Sequence, residues 1–439
     1  MSKIKSSIRN LIVSSLVYLS KKNIAKYKPF IISITGNVGK TSTKDYVYAA
    51  LKNDFNVRAA DKSFNSEFGI PLTILGEQNK WSNVFAWIFL IIKNFYKLYF
   101  IRVNFPEVLV LEVGADKPGD ILFASSYIKS DIVILTAFAE NPVHAEFFPN
   151  RAAHLREKKY LVDSIKSTGT VVYNADDKDM TEMAMVANAA EKIAFGKNAK
   201  LFKLITTTFI YDEKGKAKGS KIIFEYKNEL GISLQGNIDL LGVVGASHAY
   251  GALAALTVAH SRGLDLFDSI KNIEKIVFPK SRLRIFEGIN GSTVIDDSYN
   301  SSPKASELAL SVLQSLITKG KKIAVLGHMA ELSAEATESE HIKIGMLAGE
   351  VCEMIIFIGR YNEYYLEGVR KTRFNLDNLF LFNESTEAVE VMKNAIREND
   401  IILAKGSQSA RVEKVVREML ANADDKKEIC RGESQWKNR

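Results

Sequence analysis

Cysteine is almost missing from this sequence. Its two examples in 439 residues, Cys352 and Cys430, lie far apart and in no metal-ligand spacing, which excludes a disulfide scaffold and suits a reducing cytoplasm. Internal repeats and long low-complexity tracts are also lacking. The apolar run over residues 84–92 is too short to span a bilayer. Lys3, Lys5 and Arg9 before the apolar residues 11–19 imitate a signal peptide, but no small-residue cleavage site follows, so a retained helix is expected. Nucleic-acid recognition motifs are absent too. The net charge of +8 is therefore read as an attraction for anionic lipid or phosphorylated substrates, with no nucleic-acid partner expected.

What is present is an ordinary globular composition, 46% apolar and 25% charged, in a chain long enough for two or three domains. Residues 1–30 read as a basic helical segment, ending at Pro29 before the β-branched run 30–34. From there short apolar strands at 108–111, 132–135 and 171–173 alternate with helix-length segments, the pattern of a parallel, doubly wound sheet. Residues 201–241 break that rhythm with a β-rich, antiparallel part around the turn Asp212, Glu213, Lys214, Gly215. A helix over 246–262 ends at Gly263, and Pro279 falls in a linker. Strands at 293–295, 322–326, 354–358 and 401–404 then build a second α/β unit. The expected fold is α/β: a P-loop central domain (31–278) with a parallel doubly wound sheet, then a C-terminal Rossmann-like domain (279–421), with residues 422–439 a frayed, charged tail.

The strongest chemical signal lies between a strand and a helix, in Gly36, Asn37, Val38, Gly39, Lys40, Thr41 and Ser42. Glycines let the backbone curl so that its N–H groups and the helix N-terminus face phosphate oxygens. Lys40 adds a point charge there, and the Thr41 hydroxyl can ligate Mg²⁺. The spacing G-x-x-G-K-T is shorter than the usual Walker A loop. Glu112, ending the strand at 108–111, is placed beside that loop as a Mg²⁺ ligand.

Such a shortened loop resembles that of the Mur ligase family, and further segments in matching order strengthen the likeness. Residues 64–73 (FNSEFGIPLT) and 109–119 (LVLEVGADKPG) are similar to the asparagine-rich and E-L-G-A-N-x-P-G segments of the branch that adds D-alanyl-D-alanine to a peptidoglycan precursor. Residues 281–283 with 295–303 (IDDSYNSSP) resemble its G-R and D-D-S-Y-N-A-N-P pair. Residues 325–332 (VLGHMAEL), with His341 downstream, resemble V-L-G-D-M-x-E-L, and Lys405, Gly406, Ser407 repeat K-G-S. The helix opening departs from the family pattern: His248 is kept, but Ala249 and Gly251 replace side-chain amides that usually help hold adenine, and His328 replaces an aspartate.

The resemblance implies an ATP-dependent ligase that makes an amide through an acyl phosphate. Lys40, Glu112, His144 and Lys158 would be catalytic, with Mg²⁺ on Thr41, Glu112, His144 and a Lys158 carbamylated by carbon dioxide. The neighbouring Lys159 leaves the choice of lysine open. ATP would be held by the phosphate loop with His248, Arg282, Asp297, Tyr299 and Asn300, and the substrates by Asn65, Ser66, Glu331, Lys405 and Ser407. The partners implied are a carboxylate-bearing precursor and an amino acid or dipeptide, met by a monomer in the cytoplasm. The alternatives are a Mur-like ligase for another carboxylate, such as a tetrapyrrole, folate or amino-acid polymer, or a non-catalytic nucleotide-binding scaffold at the membrane. The loop begins too early to leave room before it for the branch's uridine-nucleotide domain. Residues 1–30 and the apolar segment 81–105 stand there instead. Either they pack together as helices of a rebuilt substrate domain, or they form a basic, Trp-bearing surface against the inner membrane.

Overall fold

A computed structural model describes residues 2–60, 67–81, 83–138, 147–228, 230–432 and 436. Its first half is built on β1 (Phe30–Thr35), β2 (Val57–Ala59), β3 (Val108–Glu112), β4 (Ile132–Leu135), β5 (Thr170–Asn174), β6 (Glu191–Gly196), β7 (Phe202–Tyr211), β8 (Ala217–Lys227) and β9 (Ser233–Leu241). They form one sheet in the order β2-β3-β1-β4-β5-β6-β7-β8-β9. Pairing is parallel from β2 to β7 and antiparallel through β8 and β9. The β-rich part is thus continuous with the parallel sheet.

β1 reads as an unbroken apolar run because both of its faces are covered. Ile32 and Ile34 join the core under α2 (Lys40–Leu51), α8 (Ala246–Ser261) and α9 (Leu266–Glu274). Ile31 points the other way, into the core with α1 (Ser2–Tyr27), α3 (Gly69–Leu75), α5 (Asp120–Ser125), α6 (Arg151–Asp163) and α7 (Lys178–Met185). Helix α4 (Val84–Phe100) lies outside this second layer. It packs through Trp87, Leu90 and Leu98 on Ile12, Leu16 and Leu19 of α1 and on Leu72 and Leu75 of α3. The two apolar basic segments therefore do cover each other, with α1 in the middle: Val13 and Val17 face the sheet side and Leu16 and Leu19 face α4.

The second half contains β10 (Arg284–Glu287), β11 (Thr293–Asp297), β12 (Lys322–Gly327), β13 (Met354–Ile358), β14 (Leu379–Phe382) and β15 (Ile401–Lys405), ordered β10-β11-β15-β12-β13-β14. All pairs are parallel except β10 with β11. One face carries α10 (Pro303–Ser315), α11 (Ala334–Val351) and α12 (Asn362–Arg370), the other α13 (Ala388–Ala395) and α14 (Glu413–Met419). Residues 275–283 join the halves, and backbone bonds Val244 N to Leu283 O (3.0 Å) and Ile285 N to Gly242 O (3.0 Å) seal the junction.

The tail differs from the expected frayed segment. Ile429 and Cys430 are buried, and the Cys430 N–H donates to Ser281 Oγ at 3.0 Å. The Arg431 guanidinium donates to Ser298 O (3.1 Å) and pairs with Glu413 (3.1 Å). Composition hid this because two apolar anchors and one charged side chain, Arg431, suffice to fix a strap whose other described residues are exposed or half-buried.

Candidate active site

In the first sheet the strand order turns back at β1, whose neighbours β3 and β4 are reached in opposite directions. A crevice opens at the C-terminal ends of strands at such a point. The phosphate loop lies there. Gly36 has φ +145°, and a Cβ on it would sit 2.0 Å from Thr136 Oγ1; Gly39 has φ +88°. Any side chain at either position would be strained, so the loop needs both glycines. Asn37 N–H donates to Ala137 O (2.7 Å), bracing the loop on the segment after β4. Helix α2 then starts with no side-chain cap at Gly39, an uncapped N-terminus of the kind that receives phosphate.

Lys40 folds back over the loop, donating to Gly36 O (3.0 Å) and Asn37 O (3.4 Å). Burial lowers its pKa, opposed by the Glu112 carboxylate and reinforced by Arg282. Thr41 Oγ1 donates to Glu112 Oε1 at 3.1 Å, bringing hydroxyl and carboxylate together at the end of β3. These are hard oxygen donors of the type Mg²⁺ takes alongside substrate phosphates. Among the described residues no group of three or more His, Cys, Asp or Glu side chains could hold a metal by itself.

Lys158 projects from α6 into the same region and is 1% exposed. Its Nζ lies 3.5 Å from His154 Nε2 and 5.5 Å from the centre of the Phe138 ring. Burial drives its pKa well down, Lys40 drives it further, and Glu157 opposes both. Glu157 is itself tied to the N–H groups of Gly119 (2.7 Å) and Ile121 (3.0 Å), fixing α6 to the loop after β3. Neither His154 nor Glu157 was singled out from the sequence, although both sit within one helical turn of Lys158. His144, Asn65 and Ser66 lie outside the described residues.

The second-half residues gather separately around β11. Lys405 Nζ pairs with Asp297 Oδ2 at 2.5 Å and donates to Asn300 O at 3.1 Å. Asp297 Oδ1 accepts from Leu283 N–H (3.2 Å), and the Arg282 guanidinium stacks over Tyr299 at 4.2 Å. Ser407 is buried on the His328 side, its N–H donating to His328 O at 3.1 Å. Glu331 stands on the loop after β12 at φ +66°. His248 links the two groups: one ring nitrogen meets Tyr46 OH (2.9 Å) and the other Arg282 O (3.1 Å). Ala249 and Gly251 are buried in the α2 contact, and a Cβ at Gly251 would lie 2.7 Å from Tyr46 Cδ2.

Both halves of the chain match known protein families. Residues 95–259 match the Mur ligase middle domain and residues 281–408 the Mur ligase glutamate ligase domain. The UDP-N-acetylmuramoyl-tripeptide--D-alanyl-D-alanine ligase of Bacillus subtilis is 23% identical over 93% of this chain and 79% of its own length. The Escherichia coli protein of the same name is 25% identical over 89% and 77%. In structure, MurF of Thermotoga maritima in complex with ADP aligns with a TM-score of 0.71 at 22% identity, covering 94% of this chain and 84% of that one. MurF of Acinetobacter baumannii aligns with 0.72 at 20% identity, covering 91% and 79%. With the middle and glutamate ligase domains matched in order along the chain, it belongs to the Mur ligase family.

Proposed function

We propose that this chain is an ATP-dependent amide-forming ligase of peptidoglycan precursor synthesis, joining D-alanyl-D-alanine to a UDP-N-acetylmuramoyl-tripeptide-type carboxylate. The observation that carries the reading is the Thr41–Glu112 contact beside Lys40 at an uncapped helix start, together with relatives named for that reaction.

The acceptor carboxylate attacks the γ-phosphorus of ATP; the bond to ADP breaks and an acyl phosphate forms. The amine then attacks the acyl carbon, loses a proton, and releases phosphate. Little covalent work falls to the protein, so catalysis is positioning and charge neutralisation. Lys40 and the first N–H groups of α2 hold the transferring phosphate. Thr41 and Glu112, with Lys158 as a carbamate and His144, would hold Mg²⁺, which supplies charge neutralisation at the phosphates. The surroundings of Lys158 favour that modification, since a buried amine kept neutral is nucleophilic toward carbon dioxide. The product anion would also be attracted to the nearby Lys40 ammonium. Arg282, Asp297, Tyr299 and Asn300 are assigned to the nucleotide, and Asn65, Ser66, Glu331, Lys405 and Ser407 to the substrates. His248 spends both ring nitrogens on protein and is better suited to positioning Arg282 than to touching the base. A monomer acting in the cytoplasm, at the inner face of the membrane, completes the reading.

The test is ADP release by the purified chain with Mg²⁺-ATP, the muramoyl tripeptide and D-alanyl-D-alanine. The reading requires release that depends on both substrates. Release indifferent to the dipeptide overturns it, and activity with another carboxylate in the same screen reassigns the acceptor.

A further inference from the structure

Helix α4 is apolar over most of its circumference, Lys93, Asn94 and Lys97 being its polar residues, yet the molecule covers one face of it. Trp87, Leu90 and Leu98 are buried against α1 and α3, and Asn94, on the same face, is buried with its amide donating to Glu77 at 3.1 Å. The opposite face presents Phe85, Ile88, Phe89, Ile92, Tyr96 and Phe100 to solvent, with Phe85 85% and Phe89 69% exposed. A contiguous patch of this kind marks an interaction surface.

Charge identifies what covers it. Residues 1–30 hold seven basic and no acidic side chains, and residues 80–105 hold four and none. The whole chain is +8, so everything outside these two segments is net acidic. The protein's positive charge is thus concentrated on the outer layer that carries the apolar face. Lys21, Lys22, Lys26 and Lys28 of that layer are exposed, and Lys93 and Lys97 flank the aromatic side chains while sharing Glu77 at 2.6 and 3.8 Å. Tyr18 and Tyr99 hydroxyls meet at 2.9 Å, joining α1 to the edge of the apolar face. A second copy of the chain would bring the same positive field against itself. A surface of anionic headgroups over acyl chains matches both the charge and the apolar face, and Trp81, Tyr96 and Tyr99 are ring types that settle at such a boundary. Among the described residues no helix is long and apolar enough to cross a membrane, so the contact lies in the plane of the interface.

We propose that the outer face of α4, framed by the lysines of α1 and α4, docks this protein on an anionic bilayer surface. The proposal stands apart from the assignment of substrates.

The experiment is co-sedimentation of the full chain with phosphatidylcholine vesicles, with and without phosphatidylglycerol, at low and high salt. The variants are Phe89→Glu with Ile92→Glu, and Lys21→Gln with Lys22→Gln; all four positions are exposed and far from the phosphate loop in the layering. The intact chain should bind the phosphatidylglycerol vesicles, less so in high salt. The apolar-face variant should bind about tenfold more weakly or worse, and the lysine variant should lose part of the salt-sensitive binding, with the circular dichroism of both unchanged. Failure of the intact chain to bind at low salt overturns the proposal. So does unchanged binding by the apolar-face variant, or self-association in light scattering that this variant abolishes while vesicles stay unbound.

Discussion

Lys158 and Lys159 are adjacent on α6 and have opposite surroundings. Lys158 Nζ is buried 3.5 Å from His154 Nε2, whereas Lys159 pairs with Asp163 at 2.6 Å on the exposed face. If the buried amine becomes a carbamate, Lys158→Ala loses most turnover, and short-chain carboxylic acids partly restore it by supplying the missing anion. Lys159→Ala stays within about twofold of the parent, as an exposed helical pair contributes little. Full activity of untreated Lys158→Ala in a phosphate-release assay contradicts the assignment.

Lys40→Ala should leave the fold intact and lower turnover by about a hundredfold or more, because the lost ammonium acts on charge that develops in the transition state. Glu112→Gln should instead raise the Mg²⁺ concentration needed for half-maximal ADP release. An unchanged Mg²⁺ titration in that variant would remove Glu112 from the metal's surroundings.

How far these positions were legible in the sequence follows from what holds each one. Lys40, Thr41 and Glu112 were readable because strand, turn and helix fix them locally, and β1, β3 and β4 because runs buried on both faces stay apolar throughout. The choice between Lys158 and Lys159 was not, since adjacent helical residues differ only in which faces the core. β2 is a three-residue strand with every residue half-buried, and β6 opens on exposed Glu191 and Lys192, so neither gives a periodic signal. The Lys405–Asp297 pair joins positions more than a hundred residues apart. Only the alignment of β11 with β15 brings them together.

Gly251 stands where the family usually has an amide, and the structure gives a steric reason for glycine. Gly251→Asn should press its Cβ into the Tyr46 ring, 2.7 Å away, destabilising the protein by about 1–3 kcal/mol. Urea denaturation measures this directly. An unaltered midpoint would mean that α2 and α8 yield freely at this contact.

Acid should weaken the fold through two histidines. Burial lowers His248 and His341 to about 4, despite their bonds to the carbonyls of Arg282 and Thr337. Their folded-state pKa values lie below the unfolded one, so the stability they confer is complete above about pH 6.5 and declines as pH falls toward 4. Each accounts for about 2–3 kcal/mol. Asp45, raised to about 6 chiefly by burial, works the other way and offsets part of the loss. Denaturation at pH 7 and pH 4.5 should show the decline, and His341→Gln should flatten it. A wild-type midpoint equal at both values would refute the linkage.

The middle position of α1 bears on the order in which the chain can fold. The helix is synthesised before both of its partners: Ile70 and Ile74 of α3 cover one side, and Trp87, Leu90 and Leu98 of α4 the other. Until Phe100 has left the ribosome, Leu16 and Leu19 have at most the α3 part of their native cover, Leu72 and Leu75. The growing chain therefore carries an apolar, lysine-rich helix that must be shielded during translation, by a chaperone or by the nearest lipid surface.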